Sequence, residues 1–397
     1  MPLPLPARFL QAIGASFARA PRELQIPAPP AAELEICVIV PAKDEADRVE
    51  ATLLALAQQV TAAGQPFAPE RYEILLLANN CSDDTAAVAR RFAARHPHLA
   101  LHVLETTLPP AEAHVGRARR LLMDAACRRL EAVGRPLGLI ASTDADTRVA
   151  ATWLAATLAE VAAGADAVGG RILPETTAPG CPTRRLHLRD AAYRLLCARL
   201  EVLIDPLDHD PWPRHHQHFG GSLTLTAAAY RRVGGLPVVP FLEDEALCRL
   251  LRHHDLRLRH SPHVRVVTSA RQQGRVAVGL SWQLREWAQY CAEGREPLVD
   301  NPVRLLAEWT LRRQLRQLWQ FPSENHAEAS GRVLELAAAL NLTPTALLAH
   351  LGSGLTFGTM WEQLMLAAQP AWQLRWPALP LSAATAELRK LVAVFGR

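Results

Sequence analysis

A chain of 397 residues, 49% hydrophobic and 21% charged, exceeds the usual single-core size and has ample apolar material, which predicts one large unit plus a smaller one and excludes a disordered chain. Its 43 basic and 39 acidic residues leave a formal net charge of +4 with no dense basic run, so no nucleic-acid partner is expected. No apolar run approaches the ~20 residues of a membrane span, no signal-peptide stretch opens the chain, and the seven scattered cysteines read as reduced core thiols, so the expected location is cytoplasmic.

Residues 1–34 form a Pro-edged extension around an amphipathic stretch, Phe9 to Ala20, which reads either as a peripheral membrane contact or as a helix packed on the body. From Ile36 short apolar runs alternate with helical periodicity. Strands are predicted at Ile36–Val40, Ile74–Ala78, Leu101–Leu104, Leu137–Ala141 and from Ala165. Helices are predicted around Val49–Val60, Asp83–Arg95, Val115–Val133 and Ala151–Ala163. Such alternation predicts an α/β fold with a mostly parallel, Rossmann-like sheet flanked by helices over residues 35–275. Beyond that the pattern turns helical, at Val276–Ala292, Val303–Trp319, Ala327–Leu340 and Thr345–His350, with a Pro-rich interruption at 369–380. Residues 276–397 are therefore read as an α-helical C-terminal region, open to packing under the sheet, to forming an acceptor pocket or to a homodimer contact.

Ligands of open α/β sheets bind beyond the carboxyl ends of the strands. Three polar, acidic loops fall there: Pro41-Ala42-Lys43-Asp44-Glu45, Asn79 to Thr85, and Ser142-Thr143-Asp144-Ala145-Asp146-Thr147. Singly, each reads as ordinary helix capping, in which short polar side chains satisfy free backbone donors. The third is harder to read that way. Two carboxylates two positions apart at a strand end repel unless a cation or proton lies between them, and a hard divalent ion bridging substrate phosphates meets that need.

The runs Val38 to Glu45, Asn80 to Thr85, Asp144-Ala145-Asp146, Phe219-Gly220-Gly221-Ser222, Gly234-Gly235-Leu236 and Glu243-Asp244-Glu245, in this order and spacing, resemble family 2 glycosyltransferases of GT-A fold over about residues 35–275. The resemblance implies transfer of a sugar from a nucleotide-diphospho-sugar donor to a hydroxyl acceptor, a small molecule, lipid or glycan, with a divalent metal, Mn2+ or Mg2+, as cofactor. It assigns Pro41, Ala42, Glu45, Asn80 and Asp83 to the base and ribose of the donor. Gly116, Arg117 and Arg119 fall near its diphosphate, although Arg119 departs from the family's Gly-x-Ala-x-Asn segment; either arginine could pair with phosphate. Asp144 and Asp146 form the Asp-x-Asp metal site, with Asp146 as the direct ligand and His263 as the later histidine the family often adds, His260 being second choice. Gly220 and Gly221 bring backbone close to the donor sugar or acceptor, and Arg271 and Arg275 supply a diphosphate clamp.

Glu243-Asp244-Glu245 opens a predicted helix, where three acids suit the first turn whatever the chemistry. The resemblance makes Asp244 the general base, with Glu243 beside it, and an inverting displacement follows. Three readings compete. A retaining enzyme of the same fold, of the kind that glycosylates phosphoglycerate, differs in product stereochemistry. A nucleotidyltransferase would carry a Gly-rich phosphate loop after the first strand, which Pro41 to Asp44 lacks. A non-catalytic nucleotide-sugar-binding protein would have no need of Asp144, Asp146 and Asp244 together.

Overall fold

The computed structural model describes residues 23–176, 180–271, 274, 278–321 and 326–396. The sheet-forming part runs β1 (Ile36–Ala42), α1 (Val49–Ala57), β2 (Tyr72–Asn79), α2 (Thr85–Arg95), β3 (Leu101–Thr106), α3 (Val115–Ala132), β4 (Leu139–Ser142), β5 (Thr147–Val149), α4 (Trp153–Ala162), β6 (Ala167–Pro174), α5 (Pro182–Ile204), β7 (Leu223–Thr226), α6 (Ala227–Arg232), α7 (Glu243–His253) and β8 (Leu258–Thr268). Then follow α8 (Leu280–Ala292), β9 (Leu298–Val299), α9 (Pro302–Gln320), α10 (His326–Ala339), α11 (Pro344–Leu351), α12 (Phe357–Arg375), β10 (Leu379–Pro380) and α13 (Leu381–Phe395).

Eight strands form one sheet in the order β3, β2, β1, β4, β7, β6, β8, β5. β1 runs parallel to β2 and β4, β2 to β3, and β6 to β8. β7 runs against both of its neighbours, β4 and β6, and β5 runs against β8. This is the mostly parallel, helix-flanked sheet, with a helical C-terminal region, that the sequence predicts.

The unbroken apolar run of β1 follows from burial on both faces. Ile36, Val38 and Val40 enter one core with Leu53 and Leu56 of α1 and Phe92 of α2. Cys37 and Ile39 point the other way, into a core with Leu121, Leu122 and Leu130 of α3. Each such aliphatic side chain taken from water contributes about 1.5–3 kcal/mol. The end of the N-terminal extension joins the second core: Leu24 and Ile26 pack against it, and Arg129 of α3 donates to the Ala28 carbonyl at 2.7 Å. The amphipathic stretch Phe9 to Ala20 lies outside the described residues.

The structure departs from the sequence reading in two elements. α5, 23 residues long, is not predicted, because arginines at 184, 185, 189, 194 and 199 scatter its apolar positions. Its Leu186, Tyr193, Leu200 and Ile204 share one core with Leu284 and Trp287 of α8, Trp309 of α9, and Leu381 and Leu388 of α13. The C-terminal helices therefore close over a helix from within the sheet-forming part. The expected interruption at 369–380 is also absent as drawn: α12 runs through Pro370 to Arg375. A proline there forfeits one helical hydrogen bond, and the buried Met360, Leu364, Ala368 and Trp372 on that helix outweigh the loss. Among the described residues no single helix is long and apolar enough to cross a membrane; the apolar pair Gly331–Ala339 and Pro344–Leu351 is bent by 98°.

Candidate active site

Parallel pairing brings the carboxyl ends of β1, β2 and β4 to one rim of the sheet. Because β7 is antiparallel, its beginning meets that rim too, with Leu223 opposite Ser142, so the turn Gly220–Ser222 stands beside the Asp144 loop. The end of β8 arrives there as well, Thr268 facing Thr147, which brings Ser269 to Arg271 beside Asp146. Three non-glycine residues at this rim have left-handed backbone: Asp44 (φ 53°), Asn80 (φ 52°) and Leu242 (φ 57°). Asp and Asn tolerate that region; Leu242, immediately before α7, is strained.

Two arginines organise the acids. Arg119, 3% exposed, donates through Nη2 to Asp144 Oδ1 at 2.7 Å and through Nη1 to Glu243 Oε1, so it ties the Asp-x-Asp loop to the start of α7. Arg271 donates to both oxygens of the buried Glu45, at 2.7 Å through Nη1, and its Nη2 lies 3.2 Å from Asp146 Oδ2. Burial first, and the charge of Asp144 second, push the Asp146 carboxyl up to about 6 despite Arg271. Asp144 is the more open of the two, with 40% of its side chain exposed against 13% for Asp146.

Among the described residues, Asp244 is held by backbone N–H groups. Its Oδ2 accepts from the Gly220 N–H at 2.7 Å and its Oδ1 from the Glu245 N–H at 2.8 Å, leaving the carboxylate half-buried at the rim. Such a group is fixed in direction and retains lone pairs for a proton. Glu243, in contrast, is buried on Arg119 and forms part of the support.

Several predicted site residues have other partners here. Arg119 was expected to be available to a phosphate; both its terminal nitrogens are occupied by carboxylates instead. Gly220 leaves room for that arginine, since a Cβ there would stand 2.4 Å from the guanidinium, while a Cβ at Gly221 would lie 3.0 Å from Asp144 Oδ2. Gly116 allows close approach of protein backbone: an added Cβ would be 2.0 Å from the Val239 carbonyl oxygen. Arg117 Nε lies 3.3 Å from Glu112. The Asn80 amide exchanges hydrogen bonds with the Leu108 backbone at 2.9 and 3.0 Å. Asp83 accepts from Ala46 N at 3.0 Å and Thr85 N at 3.0 Å, which binds the β1 and β2 loops together beside Pro41 and Ala42.

His263 requires correction as a metal ligand. It is exposed inside the irregular register between β6 and β8, five positions before Thr268, which is roughly 16 Å of strand from the Asp146 end. His260 turns to Asp210, its Nδ1 2.8 Å from Oδ2. The residue that reaches Asp146 from beyond β8 is Arg271. Arg275 lies outside the described residues. The sequence reading missed the pairing of Arg119 with Glu243, 124 positions apart. Its one local signal was arginine in place of the family's asparagine.

Residues 37–203 match the family model described as Glycosyl transferase family 2. No curated protein matches the chain. Among solved structures, the mannosyltransferase PcManGT from Pyrobaculum calidifontis, in complex with GDP-Man and Mn2+, aligns over 98% of this chain and 93% of its own at 18% identity and a TM-score of 0.40. TarS of S. aureus, in complex with UDP-GlcNAc, aligns over 91% and 88% at 13% identity and 0.43. Glucosyl-3-phosphoglycerate synthase from Mycobacterium tuberculosis, in complex with Mn2+, UDP-glucose and phosphoglyceric acid, aligns over 68% and 86% at 16% identity and 0.36.

Proposed function

We propose that this chain, whose residues 37–203 match the glycosyl transferase family 2 model, is a glycosyltransferase that moves a sugar from a nucleotide-diphosphate donor to a hydroxyl acceptor with inversion, Asp244 acting as general base. The observation that carries this reading is the pair of backbone N–H groups holding Asp244 at the rim that also bears Asp144 and Asp146. Asp244 withdraws the proton of the acceptor hydroxyl as its oxygen attacks the anomeric carbon from the face opposite the leaving diphosphate. The cradle fixes the direction of the base before the substrate arrives.

On the donor side, Pro41, Ala42, Glu45 and Asp83 line the loops that would receive the base and ribose, and Arg117 and Arg271 would face the diphosphate. Asp144 and Asp146 are the residues that would hold a divalent metal, Mn2+ or Mg2+. Their surroundings fit such an ion. Glu45, Asp144, Asp146 and Glu243 set four carboxylates against the two guanidinium groups of Arg119 and Arg271, leaving the negative charge that one divalent cation offsets. Among the described residues the buried Thr143 hydroxyl, next to Asp144, has no hydrogen-bond partner. When bound, the ion would neutralise the departing nucleoside diphosphate as a Lewis acid.

The test is donor hydrolysis and transfer across a panel of nucleotide-sugars with Mn2+, Mg2+ or EDTA, with the anomeric configuration of the product read by NMR. Metal-dependent release of one nucleoside diphosphate, lost in Asp146→Ala, with transfer lost in Asp244→Asn while donor binding persists, is expected. Activity undiminished in Asp244→Asn, or a product with retained configuration, would remove the general-base reading.

A further inference from the structure

Behind Asp244 lies a hydrogen-bonded chain that the reaction outlined above does not use. Asp210 Oδ2 is 2.8 Å from His260 Nδ1, His260 Nε2 is 3.3 Å from His218 Nδ1, and His218 Nε2 is 2.7 Å from Glu245 Oε2. Both rings are largely buried, with side chains 14% and 13% exposed.

Protons can be counted along this chain. Each of the three contacts needs one hydrogen, and a carboxylate can only accept. Two neutral imidazoles supply two hydrogens; once these point outward to Asp210 and Glu245, the two inner nitrogens face each other with bare lone pairs. The third proton does not come from a carboxyl group. Arg214 and Arg259 both donate to Asp210, the latter at 3.2 Å, and Arg252 donates to the other oxygen of Glu245 at 3.0 Å. Burial opposes ionisation of both acids, yet the hydrogen bonds of His260 to Asp210 and of His218 to Glu245, with Arg214 and Arg252 behind them, hold each well below the usual carboxylate range.

We propose that His218 and His260 share one extra proton as a singly charged imidazole pair, and that this pair positions the Asp244 carboxylate by clamping the two segments that hold it. His218 is joined by one residue to Gly220, whose N–H holds Asp244 Oδ2; Glu245 supplies the N–H that holds Oδ1. The His218 to Glu245 bond thus ties one backbone donor to the other. Burial lowers His260, Asp210 opposes that, and the neighbouring His218 ring lowers it further, which weighs against two separately charged rings. The other groups facing the pair do not supply the proton. His215 accepts the Gln217 N–H at Nδ1 and meets the Ser261 carbonyl through Nε2, which makes it neutral, and burial drives it down to about 3. Burial drives His216 down as well, the Cys248 thiol is pushed up, and Glu201 is engaged by Arg214 and Arg312.

The role of the pair in turnover rests on Asp244 being the base; its proton count does not. The experiment is therefore double. Imidazole 15N NMR of the full chain, assigned with His218→Gln and His260→Gln, should find three nitrogen-bound hydrogens on the two rings at neutral pH and two after an alkaline step. Two singly protonated rings at neutral pH, or two doubly protonated ones, would overturn the proposal. In kinetics, His218→Leu should lower kcat by about tenfold or more with the donor KM unchanged, whereas His218→Gln, whose amide still donates to Glu245, should stay within about threefold of wild type. The kcat of wild type should fall in the alkaline range where the shared proton leaves, and that fall should be absent in His218→Gln. Equal losses in both variants, or an alkaline fall unchanged in His218→Gln, would overturn the clamp. Full activity in Asp244→Asn with three hydrogens still counted would reject the base and leave the charged pair standing.

Discussion

Asp146 ties the electrostatics of the rim to the stability of the whole chain. Its carboxyl is raised to about 6 from an ordinary 3.8, so between those two values the unfolded chain ionises while the folded one stays protonated. Stability attributable to this group is complete below the unfolded value and is lost as pH rises through about 6, by about 3 kcal/mol at most. In EDTA at pH 8, Asp146→Asn should therefore raise the unfolding midpoint, and the rise should shrink at about pH 3, where the wild-type group is mostly protonated in both the folded and the unfolded chain; denaturant titrations at the two values check it. On the metal site proposed above, Mn2+ or Mg2+ should stabilise wild type, and the same substitution should abolish that stabilisation. At this scale the acids are legible in the sequence, because Asp144, Asp146 and Asp244 fall where a chain leaves or enters regular structure. Their partners are not. Arg119 and Arg271 reach across 124 and 226 positions to Glu243 and Glu45, and no local periodicity records such a contact. His263 misleads for a related reason: a strand irregularity near it is invisible in sequence, and so is its distance from the rim.

Among the elements, glycines separate those that are packed through their backbone from those that are not. At the start of α3, Gly116→Ala would drive a methyl group to 2.0 Å from the Val239 carbonyl, so the segment after Gly235 must move away from α3. A loss of several kcal/mol is expected, on the order of other overpacked or strained sites. Gly331→Ala, inside α10 with nothing within 4 Å of the added carbon, should instead raise stability by about 0.5–1 kcal/mol. Thermal melts of the two variants side by side test the contrast. The strands β1 and β2 are readable as apolar runs because both faces are covered, and α1, α2 and α4 because each buries a single stripe; α3 is buried around most of its circumference. β5 and β7 are three and four residues long, too short for any periodicity, and exist because β8 and β4 supply their hydrogen-bond partners. α5 evades the pattern because it is covered from several sides by the C-terminal helices as well as carrying its arginines outward.

At the scale of the molecule, the C-terminal helices are joined to the catalytic part by two different kinds of contact. One is the shared core of α5 with α8, α9 and α13, reinforced by Arg312 and Arg316, which pair with Asp205 at 2.5 and 2.6 Å. The other is a polar dock at the far end of α7. Asp255 accepts the N–H groups of Phe357 and Gly358 at 2.8 Å each, and Glu362 of α12 pairs with Arg249 and His253. A chain ended after residue 275 would expose Leu186, Tyr193, Leu200 and Ile204 on α5, and should form soluble aggregates with no cooperative thermal transition, as size-exclusion chromatography and calorimetry would reveal. A monomeric, cooperatively melting fragment would mean that the sheet-forming part stands alone.

The reversed direction of β7 divides the rim by ancestry along the chain. One wall is written in the first 146 residues, at the ends of β1, β2 and β4; the other is written between Phe219 and Glu245, on a strand that comes back toward it. Between the two lies α5, held by the C-terminal helices and not by the loops that bear Asp44, Asp83 or Asp144. Insertions or deletions between residues 175 and 219 would therefore reshape one wall while the other kept its geometry. On the assignments proposed above, what is given and what receives it are specified largely by separate stretches of sequence, joined through Arg119, which pairs with Asp144 on one wall and with Glu243 on the other.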